Sequence, residues 1–165
     1  MKKTISYIMI ICVLVSLGGC VWDPASYLFD YDELKGRIAT VELINYENDE
    51  PEKIDDDSKI LPYDFNKEEV LETLAVDKID DFTLDLSEIR FMDYSDFAKE
   101  PVGICIKITY KDGKFIIITS TLMDVAYGLV EVFDSNGYPI ERIGEPESRK
   151  DYVALVNKYF EYKIK

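Results

Sequence analysis

Two apolar segments joined by a glycine turn constrain the fold of this chain more than any other feature. Residues 102–110 and 115–122 are rich in β-branched side chains, and Asp112-Gly113 lies between them. This dipeptide is typical of a two-residue type I′ hairpin. We therefore predict an antiparallel hairpin, one face of which meets the helices. In the predicted register that face carries Ile104, Ile106, Ile108, Tyr110, Phe115 and Ile117.

More strands are predicted on both sides of this hairpin. Residues 36–46 are rich in β-branched and aromatic side chains without helical spacing. Residues 130–133 and 138–143 flank a second turn at 134–137, for which two-residue and three-residue loops both fit, so its register stays open. Residues 67–75 fit a helix with a capping box or a short strand. We favour the strand, because Asp77 with Asp80 makes a capped start of its own.

Two helices are predicted from apolar side chains that recur at helical intervals. Residues 77–89 form an internal helix, with Ile79, Phe82, Leu86 and Ile89 on one face. Ser148 with Asp151 resembles a capping box and opens a C-terminal helix. Its apolar stripe consists of Tyr152, Leu155, Val156, Tyr159 and Phe160. The predicted fold class is α+β, with a mainly antiparallel sheet of about 4–6 strands on which the internal and C-terminal helices pack.

The N-terminus has the pattern of a secretory signal peptide. Two lysines at positions 2 and 3 precede an apolar stretch over residues 5–17, which is shorter than the ~20 residues of a membrane-spanning helix. The stretch ends in Leu17-Gly18-Gly19-Cys20, which resembles the lipobox of bacterial lipoprotein precursors. Small residues admit a peptidase, and only a thiol accepts diacylglycerol as a thioether.

We therefore expect residues 1–19 to be removed and Cys20 to carry the lipid anchor, with palmitate among its acyl chains. Residues 20–32 would form a short membrane-proximal segment, and residues 33–165 a single α+β domain. The expected location is the outer face of the bacterial cell membrane, outside the cytoplasm. The lipid on Cys20 would make the membrane itself a partner.

The chain is strongly acidic, with a formal net charge of -14. Removal of residues 1–19 takes away two lysines and no acid, which makes the charge -16. Such a surface repels nucleic acid and anionic lipid, so no nucleic-acid partner is expected. Residues 47–58 are predicted to form an exposed acidic loop, a candidate interaction loop. Its acidic side chains are Asp49, Glu50, Glu52, Asp55, Asp56 and Asp57.

The histidine and the paired cysteines that many common catalytic and metal sites need are missing. The sequence has no histidine, which excludes Ser-His-Asp and Cys-His nucleophiles and every histidine-containing zinc site. Of three cysteines, Cys12 would leave with the signal peptide and Cys20 would be lipidated. Cys105 then has no cysteine to pair with, and we predict a packed small side chain on a strand. No catalytic residue, metal site or cofactor is predicted.

Several segments resemble uncharacterised small lipoproteins and secreted domains of Gram-positive bacteria. They are ELKGRIATVELINY at residues 33–46, DKIDDF at 77–82 and GICIKITY at 103–110. The resemblance extends over residues 33–160. It implies the order of the elements and a location at the cell surface, but no assigned activity.

Three functions follow as hypotheses. The first is a membrane-anchored, non-enzymatic binding or interaction module. The second is an acidic surface protein that captures or inhibits a cationic partner, such as an antimicrobial peptide or a lytic enzyme, through the acidic loop. An enzyme of unknown class comes third, because no constellation of residues indicates one. No motif specifies the ligand or the oligomeric state.

Overall fold

The computed structural model describes residues 26–47, 62–92, 103–119, 129–146 and 149–164. Within these ranges the chain forms eight strands, three α-helices and two 3-10 turns. The strands are β1 (Ser26–Tyr27), β2 (Ile38–Tyr46), β3 (Glu68–Thr73), β4 (Phe91–Met92), β5 (Gly103–Tyr110), β6 (Phe115–Thr119), β7 (Leu129–Phe133) and β8 (Pro139–Pro146). The helices are α1 (Tyr31–Leu34), α2 (Ile79–Ser87) and α3 (Arg149–Tyr159), and the 3-10 turns are Phe65–Lys67 and Val76–Lys78.

The strands form one antiparallel sheet in the order β1-β4-β8-β7-β6-β5-β2-β3. Six neighbouring strands make the main sheet, namely β8, β7, β6, β5, β2 and β3. The two-residue strands β4 and β1 extend it from the end of β8. The predicted α+β class, with a mainly antiparallel sheet, an internal helix and a C-terminal helix, is therefore confirmed.

The local patterns predicted most of the elements correctly. The ambiguous residues 67–75 contain strand β3, so the strand that we favoured is confirmed. The internal helix begins with a 3-10 turn at Val76–Lys78 and continues as α2. Helix α3 buries the predicted stripe, with Tyr159 only half-buried. Ser148 lies outside the described residues.

The first hairpin has a three-residue turn instead of the predicted two-residue type I′ turn at Asp112-Gly113. The second hairpin has the three-residue loop, one of the two that fitted its sequence. Gly113 has φ +88°, no described residue other than glycine has positive φ, and Gly113 N donates to Tyr110 O at 3.0 Å. Tyr110 N donates to Lys114 O at 2.8 Å. This is a type I turn closed by a glycine bulge, a three-residue loop, and not a type I′ turn. Residues 134–138 close the second hairpin by the same two bonds.

The extra loop residue shifts the register of the first hairpin by one position. Ile106 is opposite Ile118 and Ile108 is opposite Ile116. The predicted face was therefore wrong, because Phe115 and Ile117 point to the side away from Ile106 and Ile108. A shift of one residue moves every side chain of a strand to the other face.

One face of the sheet is covered by the helices and holds the larger core. Phe82 and Leu86 of α2 and Tyr152 and Val156 of α3 are buried there, and the Tyr152 hydroxyl donates to Ile104 O at 2.9 Å. The strand residues of this core include Val41, Leu43, Ile104, Ile106, Ile108, Ile116 and Ile118. The predicted packing of the isoleucine face against helices is confirmed for Ile104, Ile106 and Ile108, and Tyr110 packs against the same core.

The opposite face carries a smaller core beneath a crossing segment, residues 62–67, which we name the strap. Tyr63 of the strap is buried on this face, and Tyr63 N donates to Gly137 O at 2.8 Å. Asp64 N donates to the Tyr46 hydroxyl at 3.1 Å. The strand residues of this core are Ile44, Tyr46, Cys105, Phe115, Ile117 and Phe133.

Residues 26–32, which we assigned to the membrane-proximal segment, pack into the fold. Ser26 and Tyr27 pair with Met92 and Phe91. Phe29 is buried, with its ring centroid 5.2 Å from that of Phe91. The folded unit therefore includes chain that lies six positions after Cys20.

Candidate functional site

A small groove lies on the helix-covered side at the β1 end of the sheet, and we name it the N-terminal groove. Its volume is 170 Å³. Chain segments far apart in sequence meet there, from β1, α1, the β5–β6 hairpin, β7 and β8. Aromatic and aliphatic side chains form its floor, among them Tyr27, Phe29, Tyr110, Ile116, Val132 and Ile143. Charged side chains form its rim, namely Asp30, Glu33, Arg37, Asp112, Lys114 and Glu141.

Helix α1 positions the rim next to β1. The Asp30 carboxylate caps the helix by accepting from Asp32 N at 2.8 Å and Glu33 N at 3.3 Å. Leu34 is buried in the main core and fixes the helix against the sheet. Glu33, one residue earlier, is therefore held at the groove on the exposed side of the helix.

Two tyrosines form the aromatic surfaces of the groove. Tyr27 packs edge to face on buried Phe29, with ring centroids 5.1 Å apart, and keeps 40% of its own surface exposed. Tyr110, from the end of β5, is partly buried against the main core. Each ring is thus fixed on one side and open to the groove on the other.

The electrostatic field of the groove is negative at the Tyr27 hydroxyl. Burial raises the pKa of Tyr27, and nearby negative charges raise it further. Those charges, in order of effect, belong to Glu141, Glu33 and Asp30. Burial also raises the pKa of Tyr110 to about 12. A negative field that disfavours a tyrosinate favours a cation at the same place.

The groove already contains one guanidinium on an aromatic ring. Arg37 Cζ lies 5.9 Å from the centre of the Tyr110 ring, and Arg37 Nη1 donates to Glu33 O at 3.4 Å. Lys114 Nζ lies 3.9 Å from Asp112 Oδ2, in a pair whose side chains are about half exposed. The arrangement is a cation–π contact within an acidic rim. Both the ring and the carboxylates attract positive charge.

A second notable site lies under the strap, where a lysine is enclosed by aromatic rings. Lys107 Nζ lies 2.5 Å from Glu68 Oε2, and their side chains are only 10% and 9% exposed. The ammonium is 5.1–5.3 Å from three ring centres, those of Tyr63, Phe65 and Phe115. The Tyr63 hydroxyl donates to the same Glu68 oxygen at 2.8 Å. We name this group the lysine cage.

In the lysine cage, Lys107 and Tyr63 both bind the carboxylate of Glu68. Burial raises the pKa of Tyr63, and the hydrogen bond to Glu68 raises it further, so Tyr63 stays protonated. Glu68 accepts from both Lys107 and Tyr63, which compensates the cost of burying its charge. The cage fixes the strap to the sheet, because Tyr63 belongs to the strap while Lys107 belongs to β5.

A larger cavity of 320 Å³ lies at the surface between α2 and α3. Asp85 of α2 accepts from Lys158 Nζ and from the Tyr159 hydroxyl, the latter at 2.6 Å. Burial by itself would raise the pKa of Asp85, but the bonds from Lys158 and Tyr159 outweigh it and lower the pKa. Asp85, Lys158 and Tyr159, on the wall of this cavity, therefore bind one another and join the two helices.

The structure places one of the residues that the sequence analysis singled out. Cys105 is buried on β5, and its thiol donates to Gly103 O at 3.3 Å, so the predicted packed position is confirmed. Cys20 lies outside the described residues. So does the candidate interaction loop, with Asp49, Glu50, Glu52, Asp55, Asp56 and Asp57.

Sequence reasoning missed both the lysine cage and the N-terminal groove. The signal for the cage was available, since Lys107 is the one charged residue in the apolar run from Ile104 to Ile108. No local signal marked the groove. Tyr27 and Glu141 are far apart in the chain and become neighbours only through the order of strands.

Comparisons with known proteins give no relative for this chain: no family model, no curated protein and no solved structure matches it. Within the described ranges, no helix is long and apolar enough to cross a membrane. In that same part of the chain, no group of three or more aspartates, glutamates and cysteines is arranged to hold a metal ion.

Proposed function

We propose that this chain is a lipoprotein of the outer face of the bacterial cell membrane that acts as a non-enzymatic binding module. The lipobox at residues 17–20 supports the anchor, since it follows a positive N-terminus and an apolar stretch. In this proposal Cys20 carries the lipid. Ser26 lies six positions after Cys20, a span of at most about 22 Å.

The N-terminal groove is the observation that carries the binding part of this proposal. It combines an aromatic floor with a charged rim, the usual composition of a recognition site. It also contains Tyr27, which lies seven positions after the proposed anchor, Cys20. A ligand bound there would be held within about 25 Å of the lipid attachment point.

The arrangement of ionisable groups supports binding over catalysis. Lys107 and Glu68 are paired and enclosed in the lysine cage. Asp85 is bonded to Lys158 and Tyr159. At 170 Å³ the N-terminal groove is smaller than the ~300–1,000 Å³ of sites that enclose a whole small-molecule substrate. The 320 Å³ cavity between α2 and α3 is within that range, but Asp85, Lys158 and Tyr159 on its wall are bonded to one another and join the two helices.

The anchor is tested by Cys20→Ser in the producing bacterium, with metabolic labelling by a palmitate analogue and fractionation of membranes. We expect the label to disappear and the protein to be released, or to remain as an uncleaved precursor, because only the thiol is acylated. Cys12→Ser is the matched control and should keep both label and membrane location. Lipid label that persists on Cys20→Ser would overturn the proposal.

A further inference from the structure

We propose that the N-terminal groove binds the arginine side chain of a cationic peptide, which specifies the ligand class of the proposed binding module and rests on that proposal. The groove joins the exposed ring of Tyr27 and the partly buried ring of Tyr110 to an acidic rim on a preformed floor. Nothing in the sequence patterns indicated this site, and the acidic loop that suggested a cationic partner is a different part of the chain.

Size limits the ligand to one side chain. A volume of 170 Å³ is several times the ~30 Å³ that a water molecule occupies. It is well below the ~300–1,000 Å³ of pockets that enclose a drug-sized molecule. The groove therefore accommodates a single extended group, while the rest of its ligand lies on the surface outside.

Charge selects a cation. Four carboxylates line the groove against two cations, and Lys114 is close to one of the four, Asp112. Asp30 is engaged in capping α1. The two carboxylates that remain, Glu33 and Glu141, both act on the Tyr27 hydroxyl. An anionic ligand would be repelled by this rim and by the net charge of -14.

The tyrosines favour guanidinium over ammonium. A guanidinium is planar, stacks on aromatic rings and binds carboxylates with two parallel hydrogen bonds, whereas an ammonium is a strongly hydrated point charge. The molecule itself uses this contact, since Arg37 lies over the Tyr110 ring. A second guanidinium entering between Tyr27 and Glu141 would meet an aromatic ring, as Arg37 does, and in addition a carboxylate.

The test measures binding of a dye-labelled peptide, Gly-Arg-Gly-Arg-Gly-Arg-Gly, by fluorescence anisotropy. The protein is the full chain as purified from the expressing cell in a neutral detergent. Two further peptides replace each arginine by lysine or by citrulline, which keeps the shape and removes the charge. We expect the arginine peptide to bind best, the lysine peptide more weakly, and the citrulline peptide not measurably.

Two pairs of variants distinguish the groove from general attraction to an acidic protein. Glu141→Gln should weaken binding about tenfold, the effect of losing one charge-assisted hydrogen bond. Glu69→Gln removes the same charge from exposed β3, at the opposite edge of the sheet, and should change binding little. Arg37→Gln frees the Tyr110 ring and should strengthen binding more than Lys35→Gln, which lies outside the groove.

Three outcomes would overturn the inference. Equal losses for Glu141→Gln and Glu69→Gln would mean that only net charge attracts the peptide. Equal binding of the arginine and citrulline peptides would exclude a site that selects a cation. Absence of binding of the arginine peptide at millimolar protein would exclude the proposed site altogether. Failure here with lipid label intact on Cys20 leaves the anchor standing. Absence of the lipid label from the unaltered protein, with peptide binding intact, would overturn the anchor alone.

Discussion

Lys107 is a charged residue on β5 in the middle of the sheet, and its pairing with Glu68 determines what a substitution there will do. Both side chains are about nine-tenths buried, with Tyr63 donating a further hydrogen bond to Glu68. A buried pair of this kind contributes little net stability relative to apolar side chains of equal size, but removing one partner leaves an unpaired buried charge. The cage is thus a sensitive position.

Lys107→Met should lower the free energy of unfolding by about 3 kcal/mol, because Glu68 then remains buried without its cation. Adding Glu68→Met to that variant should restore part of the loss. Urea denaturation followed by circular dichroism measures both. Lys114→Met is the control, since its half-exposed pair with Asp112 should contribute less than ~1 kcal/mol. Equal costs for Lys107→Met and Lys114→Met would mean that water reaches Glu68.

At the scale of the elements, the hairpin turns depend on glycines with positive φ. Gly137 has φ +84°, and a Cβ atom placed there would lie 3.0 Å from Tyr63 O and from Phe65 Cε2. Gly36 has φ +71° with nothing within 4 Å of such an atom. Alanine at position 36 therefore tests backbone strain alone, whereas alanine at position 137 tests backbone strain together with contact with the strap.

Gly36→Ala should cost about 1 kcal/mol of unfolding free energy, the cost of a left-handed conformation for alanine. Gly137→Ala should cost roughly 2–3 kcal/mol, because the methyl group also displaces the strap. Chemical denaturation of both variants gives the comparison. If the two costs are the same, the strap does not pack tightly on the second hairpin.

Local patterns account for the positions of the elements, but they do not account for the register of the first hairpin. Apolar spacing located α2, α3 and most strands. The strand favoured before α2 is correct, but the capped start predicted at Asp77 with Asp80 is wrong, because neither the 3-10 turn that precedes α2 nor α2 itself has a side-chain cap. Asp112-Gly113 fits a two-residue turn and also the last two positions of a three-residue turn. The backbone angle φ of Asp112 decides between the two turns. It is not positive, so the three-residue turn forms, and Phe115 lies on the opposite face of the sheet from the one predicted.

The candidate sites were less predictable than the elements, for a physical reason. Lys107 could have been flagged as a lone charge in an apolar strand, but its partner Glu68 is 39 positions away. The N-terminal groove joins β1 to β8 through an order of strands that no local pattern encodes. Sites built from distant strands require the topology first.

For the molecule as a whole, several tyrosines are held protonated by the fold. Burial is the largest cause at each of them and raises the pKa of both Tyr110 and Tyr159 to about 12. It also raises the pKa of Tyr63 and Tyr152. In the unfolded chain these groups lose their protons near pH 10. The folded state thus binds more protons than the unfolded state between pH 10 and 12.

Stability should therefore be unaffected by these groups below pH 10 and should fall as the pH rises from 10 towards 12. Urea denaturation at pH 8, 10 and 11 measures the decline. Tyr110→Phe should make it less steep, since that variant lacks one of the raised groups. Absorbance of tyrosinate at alkaline pH is an independent check. Complete titration of the folded protein near pH 10 would contradict the expectation.

The order of strands also determines the sequence in which the chain can complete its fold. β1 joins the sheet only through β4, and β4 joins it only through Glu145 and Pro146 of β8. Closing so long a loop is slow, because the entropy is lost before the contacts form. We therefore expect β1 to be the last strand to join the sheet during folding. The N-terminal groove, which includes Tyr27, takes shape only after the penultimate element has folded.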